Sequence, residues 1–385
     1  MDPTIVIAGS LAQKPRLGGH AWVFLQYLLG FRRLGYDVLF LDRLEPDMCV
    51  DEAGRSVPVE RSVNLRALRG ALEHFGLGDS FAVLCDGGAH IVGSSRQELL
   101  ERVRNSVLFL NVMGYLDDEM LLAAAPRRVF LDIDPGFGQI WRELGLADVF
   151  AGHDAFVTIG ENLGRPDCAI PTCGLEWITT RQPIVLEHWP AQTADGGAFT
   201  SIGVWRGPYA PLEYQGQTYG LRVHEFRKFA AVPRLSGRHF EAALEIHEAE
   251  TPDLDLLAAN GWSLVDPVPV TGDPISYRSF IQRARAEFMV AKGVYVDTRS
   301  GWFSDRSVCF LASAKPVLAQ DTGLGDLYPI GRGLLTFTTL DEALEGVEQI
   351  ERDYELQARA ARALAEEHFD SDIVLKRLLE QLGVD

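Results

Sequence analysis

The chain has 385 residues, of which 47% are hydrophobic and 23% are charged, and this length and composition favour a globular protein of two or three domains. Its formal net charge of −18 repels polyanions, so we expect no nucleic-acid-binding surface. The five cysteines are scattered without a paired Cys-x-x-Cys pattern, which argues against a zinc site or a disulfide framework and favours a reduced, cytoplasmic location.

We expect neither a signal peptide nor a transmembrane segment. The first residues, MDPTIVIAGS, are acidic at the start and continue directly into a strand pattern. The longest apolar run, AWVFLQYLLGF, is interrupted by Gln26 and is too short to span a bilayer. This run therefore predicts a helix packed under a sheet.

The first half of the chain alternates between strand and helix patterns. The segments in order are a buried-type strand TIVIAG, a glycine-rich loop SLAQKPRLGG, a helix HAWVFLQYLLGFRRLG and a second strand DVLFLD. A strand, a crossover helix and a second strand indicate a parallel pair. The alternation continues to Trp189, which predicts an N-terminal Rossmann-like domain over residues 1–189.

A second series follows a polar linker predicted over residues 190–198. SYRSFIQRARAEFMVAK (276–292) predicts a helix, GVYVDT (293–298) predicts a strand, and a further helix begins at Ser304. These patterns predict a C-terminal Rossmann-like domain over 199–365 and a final helix over 366–385. Because ligands of such sheets bind beyond the carboxyl ends of the strands, we expect a site in the cleft between the domains.

The stretch SGWFSDRSVCF predicts an anion site at a helix N-terminus. Ser304 is a suitable N-cap, because its hydroxyl can accept from the free amides of the first turn. The helix dipole, the guanidinium of Arg306 and the hydroxyl of Ser307 would all attract an anion. A plain capped helix with a surface arginine is the alternative, in which Asp305 only complements the dipole.

The segments around this helix resemble the donor-binding half of nucleotide-sugar glycosyltransferases with the GT-B fold. The resemblance lies in the order helix, A-x-x-x-P-V, strand, D-T-G and P-x-G-x-G-L-L-x-F, followed by closing helices from Leu340. The Gly-Gly loop, helix, glycine and strand at the start of the chain resemble the acceptor half, whereas residues 208–272 match only in coarse pattern. The resemblance implies an α/β fold of two facing Rossmann-like, doubly wound parallel-sheet domains, with the last helix crossing back to the first domain.

The resemblance further implies transfer of a sugar from a nucleotide-diphosphate donor to a small-molecule or glycan acceptor. In the family, a basic residue after the first strand of the C-terminal half neutralises the leaving diphosphate, and Arg206 stands there. GT-B enzymes generally need no bound metal, so we expect neither a metal nor a cofactor beyond the donor itself. The expected donor-binding residues are Arg206, Arg222, Trp302, Ser304, Asp305, Arg306, Ser307, Asp321, Thr322 and Gly323.

The acceptor is expected on the N-terminal domain, around the Gly-Gly loop. Gly18 and Gly19 allow the backbone to approach a ligand closely. His20 follows them and is the candidate catalytic base, with a packing or capping histidine as the alternative. Asp134 and Glu161 follow other predicted strands and are candidate acceptor contacts, and the Asp-x-Asp pattern that ends at Asp134 is not assigned to a metal.

The chain departs from retaining members of the fold, which often carry two glutamates in an E-x7-E pattern. The corresponding positions here are Gly301 and Cys309, so neither retaining chemistry nor ribose binding by the usual glutamate can be carried over. Asp305 or Asp321 could bind the ribose instead. Two alternatives remain, a nucleotide-sugar epimerase and a non-catalytic sugar-nucleotide-binding protein, whereas the first loop lacks the G-x-G-x-x-G spacing of NAD-dependent enzymes.

Overall fold

Each half of the chain forms a parallel sheet. The computed structural model describes residues 3–192, 196–207 and 209–384. The strands of the first sheet are β1 Thr4–Ala8, β2 Asp37–Leu44, β3 Phe81–Cys85, β4 His90–Val92, β5 Ser106–Val112, β6 Arg128–Asp132, β7 Ala155–Thr158 and β8 Trp177–Thr179. They lie in the order β4-β3-β2-β1-β5-β6-β7-β8, and only β4 is antiparallel to its neighbour.

The strands of this sheet are buried on both sides, because helices cover both of its faces. Short 3₁₀ turns lie at Pro46–Met48, Val59–Arg61 and Leu186–His188. The helix Gly18–Arg33 is apolar around most of its circumference. One side of it packs on the sheet, and the other side contacts the C-terminal part of the chain. The helices are α1 Gly18–Arg33, α2 Val63–His74, α3 Arg96–Arg104, α4 Glu119–Ala124 and α5 Phe137–Glu143.

The second sheet is entirely parallel and lies in the second half of the chain. Its strands are β9 Phe199–Val204, β12 Phe240–Glu245, β13 Trp262–Leu264, β14 Ala286–Met289, β15 Val317–Gln320 and β16 Leu334–Phe337, and a separate hairpin consists of β10 Leu212–Tyr214 and β11 Gln217–Tyr219. The order is β13-β12-β9-β14-β15-β16, the doubly wound topology that the sequence predicted.

The helices of the second half surround this sheet and continue to the end of the chain. They are α6 Arg222–Lys228, α7 Val232–Ser236, α8 Thr251–Ala259, α9 Pro267–Thr271, α10 Pro274–Arg283, α11 Gly293–Asp297, α12 Asp305–Ala312, α13 Leu340–Arg352, α14 Tyr354–His368 and α15 Ser371–Leu382. In the described parts of the chain, none of them is both long and apolar enough to cross a membrane.

Two predicted elements before α12 are wrong. The helix predicted over 276–292 ends at Arg283, and the strand of this region is β14. Residues 293–298, which we predicted as a strand, begin with the one-turn helix α11. The β-branched and aromatic residues of GVYVD favour a strand locally, but β14 already fills the place between β9 and β15.

The end of the chain returns to the N-terminal domain. The amide of Ile184 donates to the carbonyl of Phe369 at 2.8 Å, and the amide of Ser371 donates to the carbonyl of Ile184 at 2.9 Å. Helix α15 then packs on α1 so closely that a Cβ on Gly30 would lie 2.4 Å from Leu375 Cδ1. The turn into this last helix comes after His368, so the predicted start at residue 366 falls inside α14.

The predicted linker is described only in part. Residues 190–192 and 196–198 have neither helical nor strand structure. Residues 193–195 of this linker lie outside the described residues, as do residues 1, 2, 208 and 385 of the predicted domains.

Candidate functional site

A cavity of about 710 Å³ lies between the two domains. On one side it is lined by residues 14–20, the loop that leaves β1 and the start of α1. On the other side it is lined by the end of β9 and by the first residues of α6 and α12. Strand order reverses beside β1 in one sheet and beside β9 in the other, so both switch points open into the same space.

The lining of this cavity is positively charged although the chain is strongly acidic. Its basic residues are Lys14, Arg16, Arg206, Arg222, Lys292 and Arg306. Its acidic residues are Asp51, Glu52, Glu245 and Asp305. The lining therefore has an excess of two positive charges, although the chain as a whole carries a net charge of −18. This local excess suits an anionic ligand.

Arg222 supplies a half-buried guanidinium at the start of α6. Its Nη1 donates weakly to the carbonyl of Ile202 at 3.4 Å, and its Nε is buried without a hydrogen-bond partner among the described residues. Burial, together with the positive charge of Arg306, lowers the pKa of Arg222 to about 10. An anion placed between the two guanidinium groups would relieve both the desolvation and the repulsion.

The start of α12 brings Arg306 to the same cavity. The Oγ of Ser304 accepts from the amide of Arg306 at 3.2 Å, which is the predicted N-cap. The Nε of Arg306 donates to Glu287 Oε1 at 2.5 Å, and Glu287 is fully buried. Arg306 is therefore held rigidly by β14 while its side chain still lines the cavity.

Two further charged side chains predicted for the donor also line the cavity. The carboxylate of Asp305 lies beside Arg306, and burial raises its pKa. Arg206 follows β9 as expected, but its Nη2 donates to Glu250 Oε2 at 2.8 Å and its side chain is 43% exposed. A phosphate could therefore bind Arg206 only by competing with Glu250.

His20 lies at the N-terminal wall of the cavity. Its Nε2 lies 3.2 Å from the carbonyl of Ser10 and 2.9 Å from the hydroxyl of the same residue. A carbonyl can only accept, so the contact with it assigns the proton to Nε2 and leaves the lone pair on Nδ1. Burial and the charge of Lys14 lower the pKa of His20 to about 3, which makes the imidazole a weaker base than one in water.

Solved structures match the chain over its whole length. An alpha-glucosyltransferase in complex with UDP has a TM-score of 0.58 at 10% identity, with 100% of each chain covered. HepE from Anabaena in complex with UDP-glucose has a TM-score of 0.57 at 12% identity, with 99% of each chain covered. The chain has the GT-B fold.

A third GT-B relative is AviGT4, a glycosyltransferase involved in avilamycin A biosynthesis, with a TM-score of 0.52 at 14% identity over 98% of this chain and 96% of that one. No protein-family model matches the chain, and a comparison with curated protein sequences finds no match. The predicted architecture of two facing Rossmann-like domains with a cleft between them is confirmed.

The two glycines before His20 line the GT-B cleft, but the space beside them is occupied by protein. A Cβ on Gly18 would lie 2.2 Å from the carbonyl oxygen of Asp273, and one on Gly19 would lie 2.9 Å from the ring of Tyr277. The close approach that these glycines allow is therefore that of the C-terminal domain. We had predicted that these glycines let a ligand approach the backbone closely, and their role as acceptor contacts stays a prediction.

Several residues predicted for the donor lie instead where the GT-B domains touch, away from the cavity lining. Trp302 stacks on Tyr295 with ring centroids 4.2 Å apart and is only 5% exposed, so too little of its indole is accessible for stacking on a nucleobase. The hydroxyl of Thr322 donates to the carbonyl of Trp302 at 2.7 Å. The carbonyl of Gly323 accepts from Asn162 Nδ2 of the N-terminal domain at 2.9 Å.

Three further donor candidates also lie outside the cavity lining. Asp321 Oδ1 accepts from the amides of Gly323 and Leu324 at 3.0 Å each, which closes the turn after β15. The side chain of Ser304 is taken up by the cap of α12 and is 1% exposed. Ser307 is fully buried, and its Oγ has no partner among the described residues. A ligand in the cavity as it stands meets none of these side chains directly.

Each of the two carboxylates predicted for the acceptor is bonded to at least one group of the C-terminal half. Asp134 accepts from Lys292 Nζ at 2.7 and 2.9 Å, and also from the hydroxyl of Tyr295. Glu161 Oε2 accepts from Arg181 Nε at 3.1 Å, and its other oxygen accepts from Tyr328. Both carboxylates thus join the GT-B domains, and neither lines the cavity.

The sequence analysis missed Lys14 and Lys292. Lys14 stands in the loop after β1, where a basic residue close to the Gly-Gly pair was the available signal. Lys292 was hidden by the wrong assignment of β14, since it lies three residues after the end of that strand, at the N-cap position of α11. Burial lowers the pKa of Lys292, and Asp134 opposes this effect.

The Asp-x-Asp pattern does not form a metal site. Asp132 is 2% exposed and accepts from Gln139 Nε2 at 2.7 Å and from Thr158 Oγ1 at 3.0 Å, whereas Asp134 is paired with Lys292. Within the described residues, no group of three or more His, Cys, Asp and Glu side chains could hold a metal ion. Metal independence of the reaction stays a prediction.

Proposed function

We propose that the protein is a glycosyltransferase that binds a nucleotide-diphosphate sugar on its C-terminal domain and transfers the sugar to an acceptor on its N-terminal domain. The observation that carries the proposal is the environment of Arg222. Its guanidinium lines the cavity of a GT-B fold and has no carboxylate partner among the described residues. It also lies close enough to Arg306 for the two positive charges to repel. The similar structures with bound UDP and UDP-glucose support a uridine nucleotide as the first to test.

The chemistry follows from where negative charge develops. As the bond between the sugar and the diphosphate breaks, charge accumulates on the leaving oxygen, and Arg222 and Arg306 would stabilise it more in the transition state than in the bound donor. Because Arg306 is fixed by Glu287, the positive charge needs no rearrangement during the reaction. The carboxylate of Asp305 can accept hydrogen bonds from hydroxyls of the donor.

The acceptor hydroxyl must lose its proton, and the lone pair on Nδ1 of His20 is the candidate acceptor of that proton. A bound diphosphate would favour the imidazolium form and so raise the pKa of His20 from its low value. The role of His20 stays a prediction. A His20→Asn variant should lower kcat by about 10²–10⁴ if it is the base, while the affinity for UDP changes little.

Binding of UDP to the wild type and to Arg222→Met, measured by calorimetry, tests the donor site. We expect Arg222→Met to weaken UDP binding by about 1.5–3 kcal/mol, the scale of a charge-assisted hydrogen bond. Arg234→Met is the matched control, because Arg234 is an exposed arginine of α7 that does not line the cavity. Equal affinities of the wild type and Arg222→Met would contradict the assignment.

Turnover separates the alternatives. Release of UDP from UDP-glucose that depends on an added acceptor supports transfer, and an altered hexose without acceptor would indicate an epimerase. Binding without either reaction would indicate a sugar-nucleotide-binding protein. We expect turnover to persist in EDTA, since fixed cations line the site; loss that manganese or magnesium restores would contradict metal independence. A donor of this class and five free cysteines fit the proposed cytoplasmic location.

A further inference from the structure

Two of the six cations that line the cavity have no carboxylate partner among the described residues, and they lie on opposite domains. The other four are neutralised by the pairs Arg16–Glu52, Arg206–Glu250, Lys292–Asp134 and Arg306–Glu287. The two that remain are Arg222, on the C-terminal domain, and Lys14, on the N-terminal domain. Because the proposed donor site uses Arg222, the charge of Lys14 is left for another group.

The ammonium of Lys14 is held in place without being neutralised. Its Nζ donates to the hydroxyl of Tyr115 at 3.3 Å and lies 5.3 Å from the centroid of the same ring. Tyr115 belongs to the loop after β5, so the loops of two adjacent strands fix this charge at the N-terminal switch point. An oriented ammonium at a cavity wall is suited to donating a charge-assisted hydrogen bond to a ligand.

We propose that the acceptor carries an oxyanion, either a carboxylate or a phosphate, and that Lys14 binds this group on the N-terminal wall of the cavity. The proposal rests on the proposed function, which puts the acceptor on this wall. Arg16, two residues before the Gly-Gly pair in the same loop, cannot serve equally, since its guanidinium already binds Glu52 at 2.9 Å.

The position of Lys14 also links recognition to the candidate base. The positive charge of Lys14 contributes to the low pKa of His20, after burial. An oxyanion bound to Lys14 would offset that charge and make the imidazole a better proton acceptor. An acceptor with the expected charge would then be deprotonated more readily than a neutral acceptor of the same shape.

Calorimetric titration of the UDP-saturated protein with glucose, glucuronate and glucose 6-phosphate tests the proposal. We expect one of the two anionic sugars to bind at least about tenfold more tightly than glucose. A preference for glucuronate identifies a carboxylate, and a preference for glucose 6-phosphate identifies a phosphate. Lys14→Met should abolish the preference, Lys14→Arg should retain it, and Arg16→Met should retain it because Glu52 already neutralises Arg16.

Two results would overturn the proposal: equal affinity of the wild type for all three sugars, or a loss of UDP affinity in Lys14→Met as large as that in Arg222→Met. The second result would assign Lys14 to the donor. Failure of the wild type to bind UDP would contradict the proposed function instead, and titration of the same sugars without UDP would still show whether Lys14 selects an oxyanion. Unchanged UDP affinity of Lys14→Met excludes misfolding as the cause of its lost preference.

Discussion

His20 shows how strongly burial changes the chemistry of a single residue. Its place after a Gly-Gly loop indicates a catalytic base, yet burial of the ring, against which Phe24 packs with centroids 5.0 Å apart, and the charge of Lys14 both favour the neutral imidazole. The hydrogen bond to the Ser10 carbonyl has the opposite effect but does not compensate for burial. A sequence shows the residue type and the loop, but not this environment.

The low pKa of His20 predicts a pH dependence of stability. The pKa is about 3 in the folded protein and 6.5 in its ordinary state, so the unfolded chain binds this proton first as the pH falls. The contribution of a neutral His20 to the free energy of unfolding is fully present above about pH 6.5 and declines below it, at up to about 1.4 kcal/mol per pH unit. Urea unfolding of the wild type and His20→Asn between pH 7 and 4.5 measures the difference.

The stability advantage of the wild type over His20→Asn should therefore shrink as the pH falls. Gln381→Asn provides the control, because Gln381 is an exposed residue of α15 without a titratable group, so its substitution should change stability by the same amount at each pH. Parallel curves for the wild type and His20→Asn would show that His20 is not buried in its neutral form.

At the scale of elements, the sequence was sufficient for the parts of the fold that follow a repeated pattern. Continuous apolar strands and amphipathic helices identified both sheets and the helix that begins after Ser304. The pattern failed at β14 and α11, where two short apolar segments compete for one position in the sheet. Local propensity favours a strand at GVYVD, but the segment that pairs with the neighbouring strands is EFM. This pairing depends on contacts between residues that are distant in the sequence.

The candidate site was only partly predictable for the same reason. Arg222 begins a helix and Arg306 follows an N-cap, and both features can be recognised in a sequence. The pairing of Asp134 with Lys292 joins residues 158 positions apart and depends on how the domains meet. The side chains buried between the domains, such as Trp302, are of the same residue types as those that line ligand sites. Residue type alone therefore could not show which of the two roles they have.

The junction of β9 with α6 predicts a role for a glycine. Gly203 is near the end of β9, and a Cβ there would lie 1.7 Å from Arg222 Nη1. Gly203→Ala should displace Arg222 and weaken UDP binding by about tenfold, without changing any charge, because the guanidinium loses its position. Gly70→Ala is the control, since a Cβ on that helical glycine meets nothing within 4 Å. Unchanged UDP affinity in Gly203→Ala would mean that Arg222 binds the diphosphate from another position, or not at all.

At the scale of the molecule, polar contacts between the domains surround the cavity. Lys292 and Asp134 have side chains only 19% and 21% exposed, so this pair is more than a surface ion pair. It ties the end of β14 in one sheet to the loop after β6 in the other. Its acidic member also limits how strongly Lys292 can attract a ligand.

Asp134→Asn should separate these two effects. It leaves Lys292 without its carboxylate, so the free energy of unfolding should fall by about 1–3 kcal/mol, while the affinity for UDP should rise several-fold because a negative charge near the cavity is removed. Thermal unfolding and calorimetry measure the two quantities. Glu161→Gln should lower stability but leave UDP affinity unchanged, because Glu161 joins the domains away from the cavity lining. Asp134→Asn with unaltered UDP affinity would place Lys292 outside the anion site.

The chain passes between the domains twice, and both passages lie at one edge. At the first passage, Arg362 Nη1 in α14 donates to the carbonyls of Trp189, just before the linker, and of Ala312, at 2.7 Å each. At the second passage, Phe369 and Ser371 form backbone hydrogen bonds with Ile184, which lies only five residues before Trp189. The two crossings of the chain between the domains therefore lie side by side, at one edge of the cleft. We expect any relative rotation of the domains to have its axis at this edge, and a closing rotation would expel water from the cleft and bring Lys14 and Arg222 closer to the two reactants.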